Sequence, residues 1–344
     1  MRTLLIGSAM LFVLAAGCKK PAENTPAAGT SDFKVGLVAD ESGINDQSFN
    51  ASAWRGLQNA EKELGVKVLP SESREQSDFT RNLRSFAKQG YDIVFASGFS
   101  MQDAMKLVAA EYPDTKFVII DGDNPGTPNT ASIKFKEHEG TFLAGILAAG
   151  MAKSGTIGFV GGQHGPVISR FECGYKAGAM TLKPDIKIIS QYAESWADPN
   201  KGKEFALLQF SQGADIIFHA SGKTGIGVID AAKGQPAGKY AIGVDSNQDD
   251  LAPGKVLTSM MKNIDVAVFD FIKRTKEGKF TPGDHVYGLK EDGVGLSPMT
   301  HTKKDVPPEL LVKIEELKQK VINGIITPPS TDAELKTYAA NLKK

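Results

Sequence analysis

Cysteine is nearly missing from this chain of 344 residues, which holds only Cys18 and Cys173. Neither a disulfide framework nor a CxxC metal site can be assembled from two such distant residues. Net charge is missing too. Forty Lys and Arg balance forty Asp and Glu, so the basic surplus of a nucleic-acid-binding surface is not there and no nucleic-acid partner is expected. The five histidines (His138, His164, His219, His285 and His301) are scattered without metal-ligand spacing. After Cys18 no apolar run reaches the roughly 20 residues that a membrane-spanning helix needs.

Catalytic signatures fail one by one. Gly222-Lys223-Thr224 follows a strand-like run and opens a helical one, as a P-loop would, but that loop also needs glycine at 217, where the chain has Ile217. Gly158-Phe-Val-Gly-Gly-Gln-His-Gly165 does not spell G-x-G-x-x-G and reads as a tight turn. Gly98-Phe-Ser-Met-Gln102 lacks the closing glycine of a nucleophile elbow. No histidine stands near a Ser or Cys in a recognisable pattern. A binding module is expected rather than an enzyme, with no cofactor.

What is present begins at the start of the chain. Met1 and Arg2 precede an apolar stretch from Leu4 to Ala16, which ends in Leu14-Ala15-Ala16-Gly17-Cys18. A basic start, a short apolar run and small residues at the end read as a secretory signal. The last five residues resemble a bacterial lipobox, which implies a signal peptide over 1–17, cleavage before Cys18 and lipidation of that cysteine. The protein would then sit at the cell membrane by its lipid anchor, on the extracytoplasmic side. Residues 18–32 are polar and rich in Pro, Ala and Thr, a tether with nothing to bury.

From Phe33 onward, short apolar runs alternate with amphipathic stretches. Strands are expected at 34–39, 66–69, 93–96 and 117–120, with helices at 50–64, 77–88 and 102–111 between them. The rhythm then restarts: helix 138–152, strand 156–160, helix 167–182, strand 186–190, helix 199–211, strand 215–219, helix 223–233, strands 240–244 and 256–261, and helix 264–274. Two tail helices follow at 308–322 and 332–342. Strands alternating with helices of 10–15 residues predict parallel sheets, here as two α/β units.

In open α/β sheets, ligands bind beyond the carboxyl ends of the strands. The residues there are Asp40 and Phe49, Asp121, Trp196, Gly222, Asp245 and Lys262. Carboxylates, aromatic rings and one lysine suit a neutral polar ligand with a flat ring and several hydroxyls. Stacking contributes about 1–3 kcal/mol per base. Phe171 has helical spacing with other apolar residues and reads as core, and Cys173 as a buried free thiol.

Long segments of the chain resemble the basic membrane protein family. They include the lipobox, Asp40-Glu-Ser-Gly-Ile-Asn-Asp-Gln-Ser-Phe-Asn50, Val118-Ile-Ile-Asp-Gly122 and Lys136-Glu-His-Glu-Gly-Thr-Phe-Leu-Ala-Gly145. Further matches are Gly158-Phe-Val-Gly-Gly162, Trp196-Ala-Asp-Pro199, Gly243-Val-Asp-Ser-Asn-Gln248 and Ser259-Met-Met-Lys262. The resemblance implies a lipoprotein receptor of an ABC importer, with a permease partner and a purine nucleoside ligand. It implies the type I periplasmic binding protein fold: two Rossmann-like lobes joined by three crossovers, 33–135 with 263–285 and 136–262 with 286–344. By resemblance, Phe49 and Trp196 sandwich the base and Asp121 hydrogen-bonds it, with Asp40 also in the pocket. Gly222 admits close backbone approach, while Asp245 and Lys262 hold the ribose hydroxyls. The family often carries Phe where this chain has Trp196. A sugar-binding or signalling receptor of the same fold is the alternative.

Overall fold

The computed structural model describes residues 32–342. The signal-like segment, Cys18 and nearly all of the tether lie outside the described residues.

Two six-stranded sheets are built with the same winding. The first half runs β1 (Lys34–Ala39), α1 (Phe49–Leu64), β2 (Lys67–Glu72), α2 (Asp78–Lys88), β3 (Ile93–Ser97), α3 (Gln102–Glu111), β4 (Lys116–Ile120) and β5 (Thr130–Phe135). The second runs α4 (Glu137–Met151), β6 (Thr156–Gly161), α5 (Pro166–Leu182), β7 (Lys187–Tyr192), α6 (Pro199–Ser211), β8 (Ile216–Ala220), α7 (Thr224–Lys233), β9 (Tyr240–Asp245) and β10 (Val256–Lys262). After α8 (Ile264–Lys276), β11 (Gly283–Tyr287) returns to the first sheet and β12 (Val294–Leu296) to the second. The tail forms α9 (Pro308–Ile322) and α10 (Asp332–Leu342).

Strand order is β11-β5-β4-β3-β1-β2 in one sheet and β12-β10-β9-β8-β6-β7 in the other. Every pairing is parallel except the short β10–β12 ladder. Central strands β3 and β8 are buried along their whole length, as sheets covered by helices on both faces require. The chain passes between the sheets three times: from β5 into α4, from β10 to β11 and from β11 to β12. Helix α8, although it follows β10, packs against α1.

Three strands depart from the expected set. The β5 run Thr-Ala-Ser-Ile-Lys-Phe alternates apolar and polar residues, yet Thr130 and Ser132 are fully buried. Their hydroxyls bond Thr127 O, Asn124 and Asp284, so the polar face that hid the strand is satisfied inside. Strand β11 is a polar edge with alternating exposure, and β12 has only three residues. Helices α4 and α5 approach closely. A Cβ on Gly178 would stand 1.9 Å from Phe142 O, and one on Gly145 2.0 Å from Tyr175 O. The Gly/Ala richness of α4 reflects that contact. Cys173 on α5 is free and buried, as its helical setting implied.

Candidate ligand-binding cleft

Strand order reverses on either side of β1/β3 and of β6/β8, the switch points where open sheets leave a crevice. The two crevices face each other and enclose a cavity with about 550 Å³ of empty space, its mouth included. Asp40, Phe49, Asp121, Trp196, Gly222, Asp245 and Lys262 all line it. So do Ser221, which stands beside Gly222 at the same strand end, Phe99, which sequence reasoning left out, and Phe171, which it assigned to the core. Phe171 is both: it is 3% exposed within the central core cluster, and it forms a wall of the cavity. Helical periodicity reports burial but not what lies on the far side of a ring.

The segment after β1 is fixed by its own polar groups. The Asp46 carboxylate accepts the backbone N–H groups of Ser48, Asn50 and Ala51, at 2.9 Å each. It thereby satisfies orphan donors at the start of α1, and Gly65, at φ +67°, ends that helix. Phe49 is consequently the first residue of α1 and stands at the cleft. Asp40 Oδ1 accepts from Ser42 N–H at 2.9 Å and from Asn50 Nδ2 at 2.7 Å. Asn50 Oδ1 in turn accepts from Ser97 Oγ at 2.6 Å. Burial pushes the Asp40 carboxyl above its ordinary range, and pushes Asp46 up to about 6 despite its three donors.

Asp121, the residue after β4, and Asp245, the last of β9, have left-handed backbones, φ +63° and +62°. Such a conformation is uncommon outside glycine and is most tolerable for Asp and Asn. Both carboxylates are nearly inaccessible. Burial pushes Asp245 up to about 6, against the opposing pull of Lys262 and Ser48. Burial also raises Asp121, with Lys262 opposing.

Lys262, 1% exposed, pairs with Asp121 Oδ2 and, at 3.2 Å, with Glu137 Oε1. Glu137 Oε2 accepts from Arg170 Nε at 2.6 Å. Burial alone would raise Glu137, but Lys262 and Arg170 bring it below the usual range. The Lys262 ammonium also lies 4.8–5.4 Å from the ring centres of Phe135, Phe49 and Phe171, where cation–π attraction adds to the ion pairs. Asp121 and Lys262, which sequence reasoning placed on different halves of a ligand, therefore stand together.

Trp196 leans over the turn after β6. A Cβ on Gly162 would stand 2.1 Å from Trp196 Cζ3, so the ring needs glycine there. Phe99 meets Trp196 edge-on, with ring centres 6.2 Å apart at 77°. Two polar atoms at this cavity, Asp121 Oδ1 and Ser221 Oγ, are buried without a hydrogen-bond partner. Leaving a buried polar group unsatisfied costs about 1–3 kcal/mol, which a ligand donor or acceptor would relieve.

The two halves also bond to each other across the cleft. Ser48 Oγ donates to Asp245 Oδ2 at 2.6 Å, and Ser246 Oγ to Ser48 O at 3.0 Å. Gln248 Nε2 donates to Gln47 O at 2.9 Å, and Ser42 Oγ to Trp196 O at 3.2 Å. Gln248 Oε1 accepts from Val244 N–H and from buried His219 Nε2, both at 3.0 Å. Burial holds His219 down at about 4 and hence neutral. The lobes are closed on one another. Among the described residues, no group of His, Cys, Asp and Glu could hold a metal, and no helix is long and apolar enough to cross a membrane.

Comparison with known proteins agrees with this architecture. A family model described as "ABC transporter substrate-binding protein PnrA-like" matches residues 33–332. The "ABC transporter nucleoside-binding protein BmpA" of Lactococcus lactis subsp. cremoris is 38% identical over 348 residues, covering 94% of this chain and 97% of the relative. "Basic membrane protein A" of Borreliella burgdorferi is 37% identical over 307 residues, covering 88% and 89%. A crystal structure of ABC transporter solute-binding proteins from Aeropyrum pernix K1 superimposes with a TM-score of 0.81 at 30% identity, over 90% of this chain and 97% of that one. The fold is thus that of the type I periplasmic binding proteins, and the chain belongs to the basic membrane protein family of PnrA-like ABC transporter substrate-binding proteins.

Proposed function

We propose that this protein is a lipid-anchored receptor that captures purine nucleosides between its lobes and delivers them to an ABC permease. It acts by binding and does not transform its ligand. One observation carries the reading: one cavity between the lobes joins the aromatic walls Phe49 and Trp196 to carboxylates and a lysine. A flat base fits between the rings, and hydroxyls meet Asp245 and Lys262. Because Asp121 and Lys262 are ion-paired, the base edge taken by Asp121 and the ribose taken by Lys262 meet above that pair. Asp40 and the Gly222 backbone complete the surround. Similarity to a relative named as nucleoside-binding adds support.

Capture works by population shift. A ligand that touches both lobes only when they are closed favours the closed state by its differential affinity. The cross-cleft bonds of Ser48, Ser246 and Gln248 define that state. The lipobox-like segment ending at Cys18 supports an extracytoplasmic, membrane-anchored location. Loss of palmitate labelling in Cys18→Ser would be the expected result, and unchanged labelling would overturn the anchor.

A thermal-shift screen with adenosine, guanosine, inosine, cytidine, uridine, free bases, ribose and glucose tests the ligand class. Binding to the folded state stabilises it by RT ln(1 + [L]/Kd), about 4 kcal/mol at a thousandfold excess over Kd. Large shifts confined to purine nucleosides are expected. Shifts with ribose or glucose alone would replace the reading with a sugar receptor.

A further inference from the structure

We infer that Glu137, which lies outside the cavity wall, is a positioning residue for ligand capture: it orients the Lys262 ammonium so that one N–H faces the ligand. The inference rests on the nucleoside reading above.

An ammonium has three donors and no acceptor. Two are taken here, by Asp121 Oδ2 and by Glu137 Oε1, and Lys262 also lines the cavity. One partner would leave the ammonium free to turn about a single hydrogen bond. Two partners fix it, and the third proton has one direction left. Glu137 suits this task because it cannot itself turn. It is 0% exposed, its second oxygen is held by Arg170 at 2.6 Å, and it is the first residue of α4. The rings of Phe49, Phe135 and Phe171 block sideways movement of the ammonium.

The placement also matters for closure. Glu137 stands just after the crossover from β5, and Lys262 just before the crossover to α8. Their ion pair ties two of the three interlobe passages together within reach of the ligand.

The test uses the intact protein and isothermal titration with inosine and its 2′-, 3′- and 5′-deoxy analogues. Wild type is expected to lose affinity for the analogue lacking the hydroxyl that Lys262 meets. Glu137→Gln is expected to bind inosine about tenfold or more weakly, as loss of an oriented charged donor implies, yet to bind that same analogue as wild type does. The two losses are then non-additive, the mark of a shared interaction. Equal weakening toward all four ligands would reduce Glu137 to a structural role and overturn the inference, as would a wild type that does not distinguish the analogues. A wild type that binds none of the four would instead overturn the nucleoside reading beneath it. If Glu137→Gln fails to fold, Glu137→Gln with Arg170→Met removes one charge of each sign from that ion pair and is read by the same cycle.

Discussion

Replacing Asp245 by Asn should stabilise the ligand-free protein at neutral pH while weakening ligand capture. The Asp245 carboxyl is 5% exposed and is pushed from its ordinary 3.8 up to about 6, first by burial. A tenfold change in a protonation equilibrium is about 1.4 kcal/mol, so ionising Asp245 costs roughly 3 kcal/mol more in the folded state than in the unfolded one. The sign follows from proton counts. Between about pH 4 and 6 the folded state binds more protons than the unfolded state, so this contribution falls as pH rises and is fully lost above about 6. Asn stays neutral at every pH, and its Oδ1 still accepts from Ser48 Oγ; the help that Ser48 gives the ionised carboxyl is already set against burial in that cost. The net expectation is a gain of about 3 kcal/mol at pH 7.5 and about 1 kcal/mol at pH 4.5, where most of the unfolded carboxyl is already ionised. Urea denaturation of the ligand-free variant and wild type at both pH values measures this. Calorimetry at pH 7.5 should show nucleoside affinity reduced by about tenfold or more, as loss of a charged acceptor implies. The same stability change at both pH values would refute the reasoning, because it would mean that Asp245 is not titrated between them. A loss at pH 7.5 would mean that Lys262 outweighs burial.

Other outcomes follow from the same geometry. Phe49→Ala and Trp196→Ala should each weaken nucleoside binding by about 1–3 kcal/mol in titration calorimetry, and equal affinity to wild type would remove the stacking role. Gly162→Ala places a methyl 2.1 Å from Trp196 Cζ3; the displaced ring should show as a shift in tryptophan fluorescence together with reduced nucleoside affinity. His219 is held at about 4 by burial, below its ordinary 6.5. The unfolded chain therefore takes up its proton first as pH falls, and stability should drop by about 3 kcal/mol between pH 6.5 and 4. His219→Gln should flatten that part of the denaturation profile, and an unchanged profile would show that another group causes it.

Legibility in the sequence followed the range of the interaction involved. Helix α1 was readable because its signals are neighbours: apolar residues at helical spacing, with Gly65 to stop them. The central strands were readable as continuous apolar runs, since burial on both faces leaves no polar alternation. Asp40, Asp121, Gly222, Asp245 and Lys262 were found by position alone, because parallel sheets expose their strand ends at one edge. Phe99 was missed because its segment was weighed only as a nucleophile elbow, although it follows β3 just as Asp40 follows β1. Strands β5 and β11 were missed because their polar residues are paired across the sheet, Ser132 with Asp284 over 152 positions.

By itself, the sequence determined the alternation of strands and helices, the two α/β units, the helix boundaries and the set of residues at the strand ends. Each depends on hydrophobic period and turn chemistry within about 20 residues. Only the tertiary structure decided which of those residues touch. Lys262 reaches Asp121 across 141 positions and Glu137 across 125, while Ser48 meets Asp245 across 197. Such contacts leave no local pattern, because they arise where the chain, having crossed three times between two sheets, closes one lobe over the other.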